Sequence, residues 1–219
     1  MPPSASDPEP RPEAAAPAPP AGVEGTPAGD DREASRSRGM SFLVELAQIA
    51  FFAIALYLIL NFAIQTVAVF GPSSYPNLEQ GDYLIASKID YRIHSPQRGD
   101  FVIIRDPWDA SQNFIKRVIG LPGEMISIRN AHVYINGKRL IEPYLSDTEA
   151  WTYQTTMAPI KLRPRSYFVM GDNRNHSTDS RDFGPVSVND VEAKAWVRVW
   201  PLNRLAVLDT RPPHVAASA

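Results

Sequence analysis

From Leu46 to Ile64 the chain reads "LAQIAFFAIALYLILNFAI", with only Gln48 and Asn61 interrupting the apolar side chains, and no charged residue occurs between Glu45 and Glu79. Coiled as an α-helix, a run of about 19 residues at 1.5 Å each is about 28 Å long, close to the hydrocarbon thickness of a bilayer. The alternative is a buried core helix, but so long an uncharged run is unusual in a soluble domain of this size. Residues 41–65 are therefore expected to cross a membrane once.

The flanks give this segment a direction. Arg32, Arg36 and Arg38 precede it, whereas the first basic residue after it is Lys88. Positive charge is retained on the cytoplasmic side, so residues 1–40 are expected inside and the chain beyond about Phe70 outside the cytoplasm of a bacterial cell, in the periplasm if the cell is Gram-negative. Residues 1–40, opening "MPPSASDPEPRPEAAAPAPPAG", hold too few large apolar side chains to offset the entropy of ordering and read as a disordered tail. A cleaved signal peptide would lie at the extreme N-terminus with a shorter apolar core, so the segment reads as a retained anchor.

The rest favours strands. "DYLIASKI", "DFVIIRD", "NFIKRVIGL", "MISIRNAHVYINGKRL" and "AKAWVRVWPL" are rich in β-branched and aromatic residues and are punctuated by Gly, Pro and Asn. Asn136 and Gly137 between apolar flanks predict a two-residue hairpin. The expected fold class is mainly β, an antiparallel sheet domain over residues 66–208 behind one transmembrane helix. Residues 141–165 are its least regular part, no second helix is evident, and 209–219 form a C-terminal tail. Trp108, Trp151, Trp196 and Trp200 are expected to fill the core, with Trp108, in the turn "RDPWD", also able to meet lipid headgroups.

Several chemistries are excluded or unsupported. The chain has no cysteine, which removes thiol catalysis, disulfides and Cys-ligated zinc, and the four histidines (His94, His132, His176, His214) never form a close pair, so no metal site is expected. A formal net charge of −2 advertises no nucleic-acid partner.

Just beyond the anchor, "GPSSYPNLEQGD" presents Ser73 and Ser74, either of which could be a nucleophile if something removes its proton. His176, in "GDNRNHSTDSRDFG", could complete a Ser/His/Asp triad, since such partners need only meet in space. Lys116, in "FIKRVIGLPGE", is the other candidate. It lies in an apolar strand, and burial disfavours an ammonium ion enough to lower its pKa by several units. Strand alternation puts Phe114, Lys116 and Val118 on one face and Ile115, Arg117 and Ile119 on the other, so either Lys116 or Arg117 must face the core. Of the two only lysine can be neutralised there. Arg117 is expected to pair with an acid and to be structural.

Four segments in this order resemble the bacterial type I signal peptidases, membrane-anchored Ser/Lys proteases that remove signal peptides from exported proteins. "GPSSYPNLEQGD" is similar to their nucleophile box, usually Ser-Met-x-Pro-Thr-Leu followed by Gly-Asp. "RGDFVIIRDP" and "FIKRVIGLPGE" are similar to the next two boxes, and "GDNRNHSTDSRDFGPV" to the last. The resemblance covers about residues 70–200. It implies Ser73 as nucleophile and Lys116 as base, with no metal or cofactor. Ser177 would hold the lysine amine, Asp179 and Arg181 would form an ion pair shaping the site, and Asp172, Asn173 and Arg174 would support it. An oxyanion hole would use backbone amides at Gly71 and Ser73, because Gly71 offers no side-chain donor. Ser74, Tyr75, Pro76 and Leu78 are the candidates for the substrate pocket. Substrates would be preproteins with small residues at positions −1 and −3, met at the bilayer surface.

Two positions depart from the family pattern: Ser74 stands where Met is usual, and Asn77 where Thr is usual. Register with Pro76 and Leu78 favours Ser73 over Ser74 as the attacking serine. The departures also raise a second reading, a weakened or inactive homologue acting as a membrane-tethered binding protein. A self-cleaving repressor-type protease would share the Ser/Lys pair, but it has no spanning helix and no "GDNR" loop.

Overall fold

The computed structural model describes residues 30–109, 111–145, 156–208 and 213–216, and for residues 30–41 the backbone alone. Its elements in chain order are helix α1 (Asp30–Ala63), strands β1 (Ile64–Ala68) and β2 (Tyr83–Ser87), helix α2 (Asp90–Ile93), strands β3 (Phe101–Arg105), β4 (Asn113–Gly120), β5 (Met125–Arg129), β6 (His132–Ile135), β7 (Lys138–Ile141), β8 (Met157–Lys161) and β9 (Ser166–Met170), helix α3 (Ser180–Phe183), and strands β10 (Val186–Ser187), β11 (Val191–Trp200), β12 (Ala206–Val207) and β13 (His214–Val215). The molecule is mainly antiparallel β with one long apolar helix, as the strand-like segments led us to expect.

Two units are distinguished, residues 1–51 and 52–219. Within the second, the described strands make two sheets. One runs β1-β2-β11-β3-β4-β9-β10, with β12 added beside β11; the other runs β13-β7-β6-β5-β8. Strand β4 lies between β3 and β9 in the larger sheet, so its backbone is hydrogen-bonded on both edges. Apolar side chains cover both of its faces: Ile115 packs with Leu78, Leu84 and Phe101, while Val118 packs with Val102, Ile104 and Val169. The alternation argument forced a choice between Lys116 and Arg117 for the core. The structure buries both, leaving them 2% and 0% exposed, because a central strand has no solvent face to offer.

The hairpin is where the sequence puts it. Asn136 and Gly137 have φ of +51° and +84°, the left-handed pair that joins β6 to β7 with a twist matching the strands.

Several boundaries differ from expectation. Helix α1 starts at Asp30, inside the stretch read as tail, since "DDREASRSRG" contains no proline to stop a helix continuing backward from the apolar run. Among the described residues two short α-helices occur where none was expected. The second, α3, is seeded by a capping box in which Asp179 and Asp182 each accept a backbone N–H. Part of the C-terminal tail is a strand, β13, paired with β7.

The tryptophans do not fill the core: Trp108, Trp196 and Trp200 are 66%, 44% and 53% exposed. Strand β11 pairs with β3 only as far as Ala195, so its last residues run on past that neighbour toward the edge formed by β2 and β12. Trp151 lies outside the described residues, as do residues 146–155 of the expected irregular insert, whose later part forms β8.

Candidate active site

Three stretches of chain converge on β4: the turn between β1 and β2 that carries Ser73, the strand itself, and the loop from Gly171 to Asp179 that follows β9. Gly171 is where they meet. A methyl group added there would be driven into the Ser177 hydroxyl and the Ser73 carbonyl, so the close approach of the two serines requires the bare backbone of glycine. The Asn173 N–H donates to the same Ser73 carbonyl at 3.0 Å. The turn that carries Ser73 is thereby held against the loop that carries Ser177.

Lys116 Nζ donates to Ser177 Oγ at 3.1 Å. Val102 is its cross-strand neighbour, and the amine lies 5.1 Å from the centroid of the Phe114 ring. Phe114 stacks on Phe183, which meets the edge of Trp108, so an aromatic row continues outward from the lysine. Removal from water pulls the Lys116 pKa down to about 8. The Asp179 carboxylate opposes that fall and the Arg181 guanidinium adds to it.

Asp179 and Arg181 do form an ion pair, with contacts of 2.8 Å from Arg181 Nε and Nη2 to the two carboxylate oxygens. Burial pushes the Asp179 pKa up, but its bonds to Arg181 and to the Gly171 N–H more than reverse this and hold the carboxyl below its usual range. Arg181 also donates to the Arg174 carbonyl at 2.7 Å and to the Ser177 carbonyl at 3.3 Å, which fixes the turn presenting Ser177.

Close to the Ser73 turn lies a second buried pair. Arg117 donates to Asp172 through Nε at 2.8 Å and Nη2 at 2.7 Å, with neither side chain exposed. Its guanidinium is held between the rings of Phe101 and Tyr144, at 4.0 and 3.9 Å from their centroids. Arg117 is therefore structural and acid-paired, as its strand context suggests.

Asn77, the unusual residue of the Ser73 turn, donates from Nδ2 to Asp172 Oδ2 at 2.7 Å and to the Tyr144 carbonyl at 3.1 Å. Arg174 closes the network. It donates to Glu142, to the Tyr144 hydroxyl at 3.1 Å and to the Gly171 carbonyl at 3.1 Å.

The two adjacent serines are separated by their surroundings. Ser74 is buried and its hydroxyl donates to the Ile115 carbonyl of β4 at 3.3 Å, whereas Ser73 is half-buried. Ser74 and Leu78 were both expected along a substrate pocket. Leu78 is instead fully enclosed in the core beside Phe101 and Ile115, since its backbone N–H turns back to the Ser74 carbonyl and carries the side chain inward. Tyr75 is exposed and Pro76 half-buried, so these two retain access to a peptide. Gly71 has φ of +76° and open space where a side chain would be. The His176 ring is exposed and lies against Asn173 Oδ1 of its own loop, which leaves the triad reading without a contact to Ser73 among the described residues.

Residues the sequence reading missed are Gly171, Glu142 and Tyr144. Gly171 had a signal in the "GDNR" stretch; the other two sit in the segment expected to be irregular, and nothing local marks them. Gly171→Ala is expected to cut peptide cleavage by at least about a hundredfold, with a thermal midpoint lowered by only a few degrees, because the added methyl separates Ser73 from Ser177. Unchanged cleavage in this variant would show that the contact between the two loops is not needed.

Residues 43–200 match the family model described as signal peptidase, peptidase S26. Over 142 residues the chain is 41% identical to a probable signal peptidase I-2 of Synechocystis, an overlap of 62% of this chain and 63% of that protein. It is 36% identical over 155 residues to a signal peptidase I of Bacillus caldolyticus, covering 66% of this chain and 84% of that one. Among solved structures, a signal peptidase I of Enterococcus faecalis aligns at a TM-score of 0.40 and 36% identity, covering 47% of this chain and 97% of that chain.

Proposed function

Because this chain belongs to the signal peptidase family, peptidase S26, we propose that it is a membrane-anchored serine endopeptidase that removes signal peptides from exported preproteins with Ser73 and Lys116. The observation that carries this reading is the buried Lys116 amine against Ser177 Oγ at 3.1 Å, with the Ser73 backbone packed on Gly171 beside that same serine.

Lys116 in its neutral form takes the proton of Ser73 Oγ. The oxygen attacks the carbonyl carbon of the scissile bond, and the carbonyl oxygen takes up negative charge at the amides of Gly71 and Ser73. Collapse breaks the C–N bond as the lysine ammonium returns its proton to the departing amine, leaving an ester on Ser73. The neutral amine then takes a proton from water, whose oxygen attacks the ester carbon; the Ser73 Oγ–C bond breaks as the ammonium returns that proton to Ser73 Oγ, which releases the signal peptide with a free C-terminal carboxylate and restores both side chains. Ser177 keeps Nζ in position through both halves.

Small residues at −1 and −3 suit shallow pockets beside Tyr75 and Pro76. The apolar helix holds the site near the bilayer, with residues before it on the cytoplasmic side and the β domain outside. The binding-protein alternative drew on Ser74 and Asn77. Both replacements have hydrogen-bonded places that tie the turn to β4 and to Asp172, which favours an active box.

The test is cleavage of a preprotein by full-length protein in detergent. Ser73→Ala is expected to lose at least about 10⁴-fold in kcat, whereas Ser74→Ala loses less than about tenfold. The reverse order would make Ser74 the nucleophile, and no cleavage by the unaltered protein would support the binding reading.

A further inference from the structure

The β domain starts without a linker: β1 follows α1 directly and pairs with β2 from Ile64 opposite Ser87, while the Lys88 N–H donates to the Ala63 carbonyl at 2.9 Å. Lys88 is thereby fixed at the end of the apolar helix. Beside it, a groove of about 540 Å³ is lined by Leu58, Asn61, Phe62, Lys88 and Arg92. A second, of about 440 Å³, also has Lys88 on its wall, together with Gln65. Gln65 Nε2 is buried with no hydrogen-bond partner among the described residues. The Arg92 guanidinium stands 4.8 Å from the centroid of the Phe62 ring.

The acids nearest this place, Asp90 and Glu192, which shares a groove with Lys88 and Arg92, are engaged by other cations. Asp90, the nearest acid in sequence to both cations, faces Lys194 at 3.9 Å and His94 at 3.8 Å, and Arg105 and Glu192 pair with each other. Among the described residues neither Lys88 nor Arg92 forms an ion pair. Next to them Ile93, on the short helix α2 that carries Arg92, is 73% exposed, and Ile89, just before that helix, 37%.

An apolar helix of 22 residues, Phe42–Ala63, is about 33 Å long, so its end reaches the depth at which lipid phosphates begin. Two cations above a wall of Leu58 and Phe62 offer an anion on one side and hydrocarbon on the other. A free phosphate would use only the first.

We propose that Lys88 and Arg92 bind the phosphate of an anionic glycerophospholipid whose acyl chains lie along Leu58 and Phe62, with Gln65 as a further donor. This rests on the helix being a membrane anchor, as read above. Such a lipid would hold the β domain at one height and rotation over the bilayer, with its preprotein-facing turn at the interface.

The experiment uses full-length protein, with bound lipid counted by native mass spectrometry after release from micelles containing phosphatidylglycerol or phosphatidylcholine. Phosphatidylglycerol retention is expected to exceed phosphatidylcholine retention. It should fall about fivefold in Arg92→Gln and at least about twentyfold in Lys88→Glu/Arg92→Glu, at an unchanged thermal midpoint for the exposed Arg92→Gln. Excess inorganic phosphate should not displace the lipid. Equal retention in the unaltered protein and both variants overturns the site, and displacement by inorganic phosphate identifies a free-anion site instead. Membrane flotation of the unaltered protein separates the two levels: protein that floats but shows no lipid preference refutes only the site, whereas protein that does not float refutes the anchor and the site together.

Discussion

Lys116→Met is expected to abolish preprotein cleavage, a loss of at least about 10⁴-fold, and at the same time to stabilise the fold. The two effects share a cause. Lys116 is 2% exposed, and burial brings its pKa from the ordinary 10.5 to about 8. A fall of that size corresponds to about 3 kcal/mol of preference for the neutral amine in the folded protein.

Below pH 8 the amine is protonated in both folded and unfolded chains, so the folded state carries the full cost of an ammonium in an apolar setting. Between pH 8 and 10.5 the unfolded chain binds more protons than the folded one, and folding stability rises with pH until the cost is gone. Met fills a similar volume without charge. The variant should therefore be more stable by about 2 kcal/mol at pH 7, measured by urea unfolding of full-length protein in detergent, with the difference shrinking as pH is raised from 8 toward 10.5. An equal or lower stability at pH 7 would mean that the amine is better solvated than its burial indicates.

The second large effect is expected at Asp172. Its carboxylate and the Arg117 guanidinium have no exposed surface, and Asp172 also accepts from Asn77 in the nucleophile turn. Asp172→Ala leaves a guanidinium enclosed between two rings without its counter-ion, which should cost about 3–5 kcal/mol and weaken cleavage through the loosened turn. Arg117→Met combined with Asp172→Leu removes both charges and should recover much of the stability but not the activity, since Asn77 still loses its acceptor. The urea midpoints of the single and double variants check this. A loss below about 1 kcal/mol for Asp172→Ala would show that water reaches Arg117.

Much of this was legible along the chain because it is local. The apolar run ending at Ile64 needs only hydropathy, and the β6–β7 hairpin needs only Asn136 and Gly137. The lysine was marked by its apolar strand neighbours, though a single-faced strand was the wrong frame: β4 is central, and Arg117 is buried as well because Asp172, from a loop 55 residues away, neutralises it.

What could not be read depends on such distant meetings. Glu142 becomes part of the support because Arg174 reaches across to it, and Tyr144 because Arg174, Arg117 and Asn77 all meet it, and neither has a periodicity or motif of its own. The exposure of Trp196 and Trp200 follows from where β11 outruns β3, a fact of sheet register. Ser74 and Leu78 were assigned to a pocket by their nearness to Ser73 in sequence, yet consecutive residues of a tight turn point in different directions, and these two point inward.

The most direct test of a neutral lysine as the base is the pH dependence of kcat/KM for preprotein cleavage by the full-length protein. It should rise about tenfold per unit at low pH, bend near pH 8 and level off above, following loss of the proton from Lys116. A profile that is flat between pH 6 and 10, or one that bends near the ordinary histidine value of about 6.5 and persists in Lys116→Met, would contradict it.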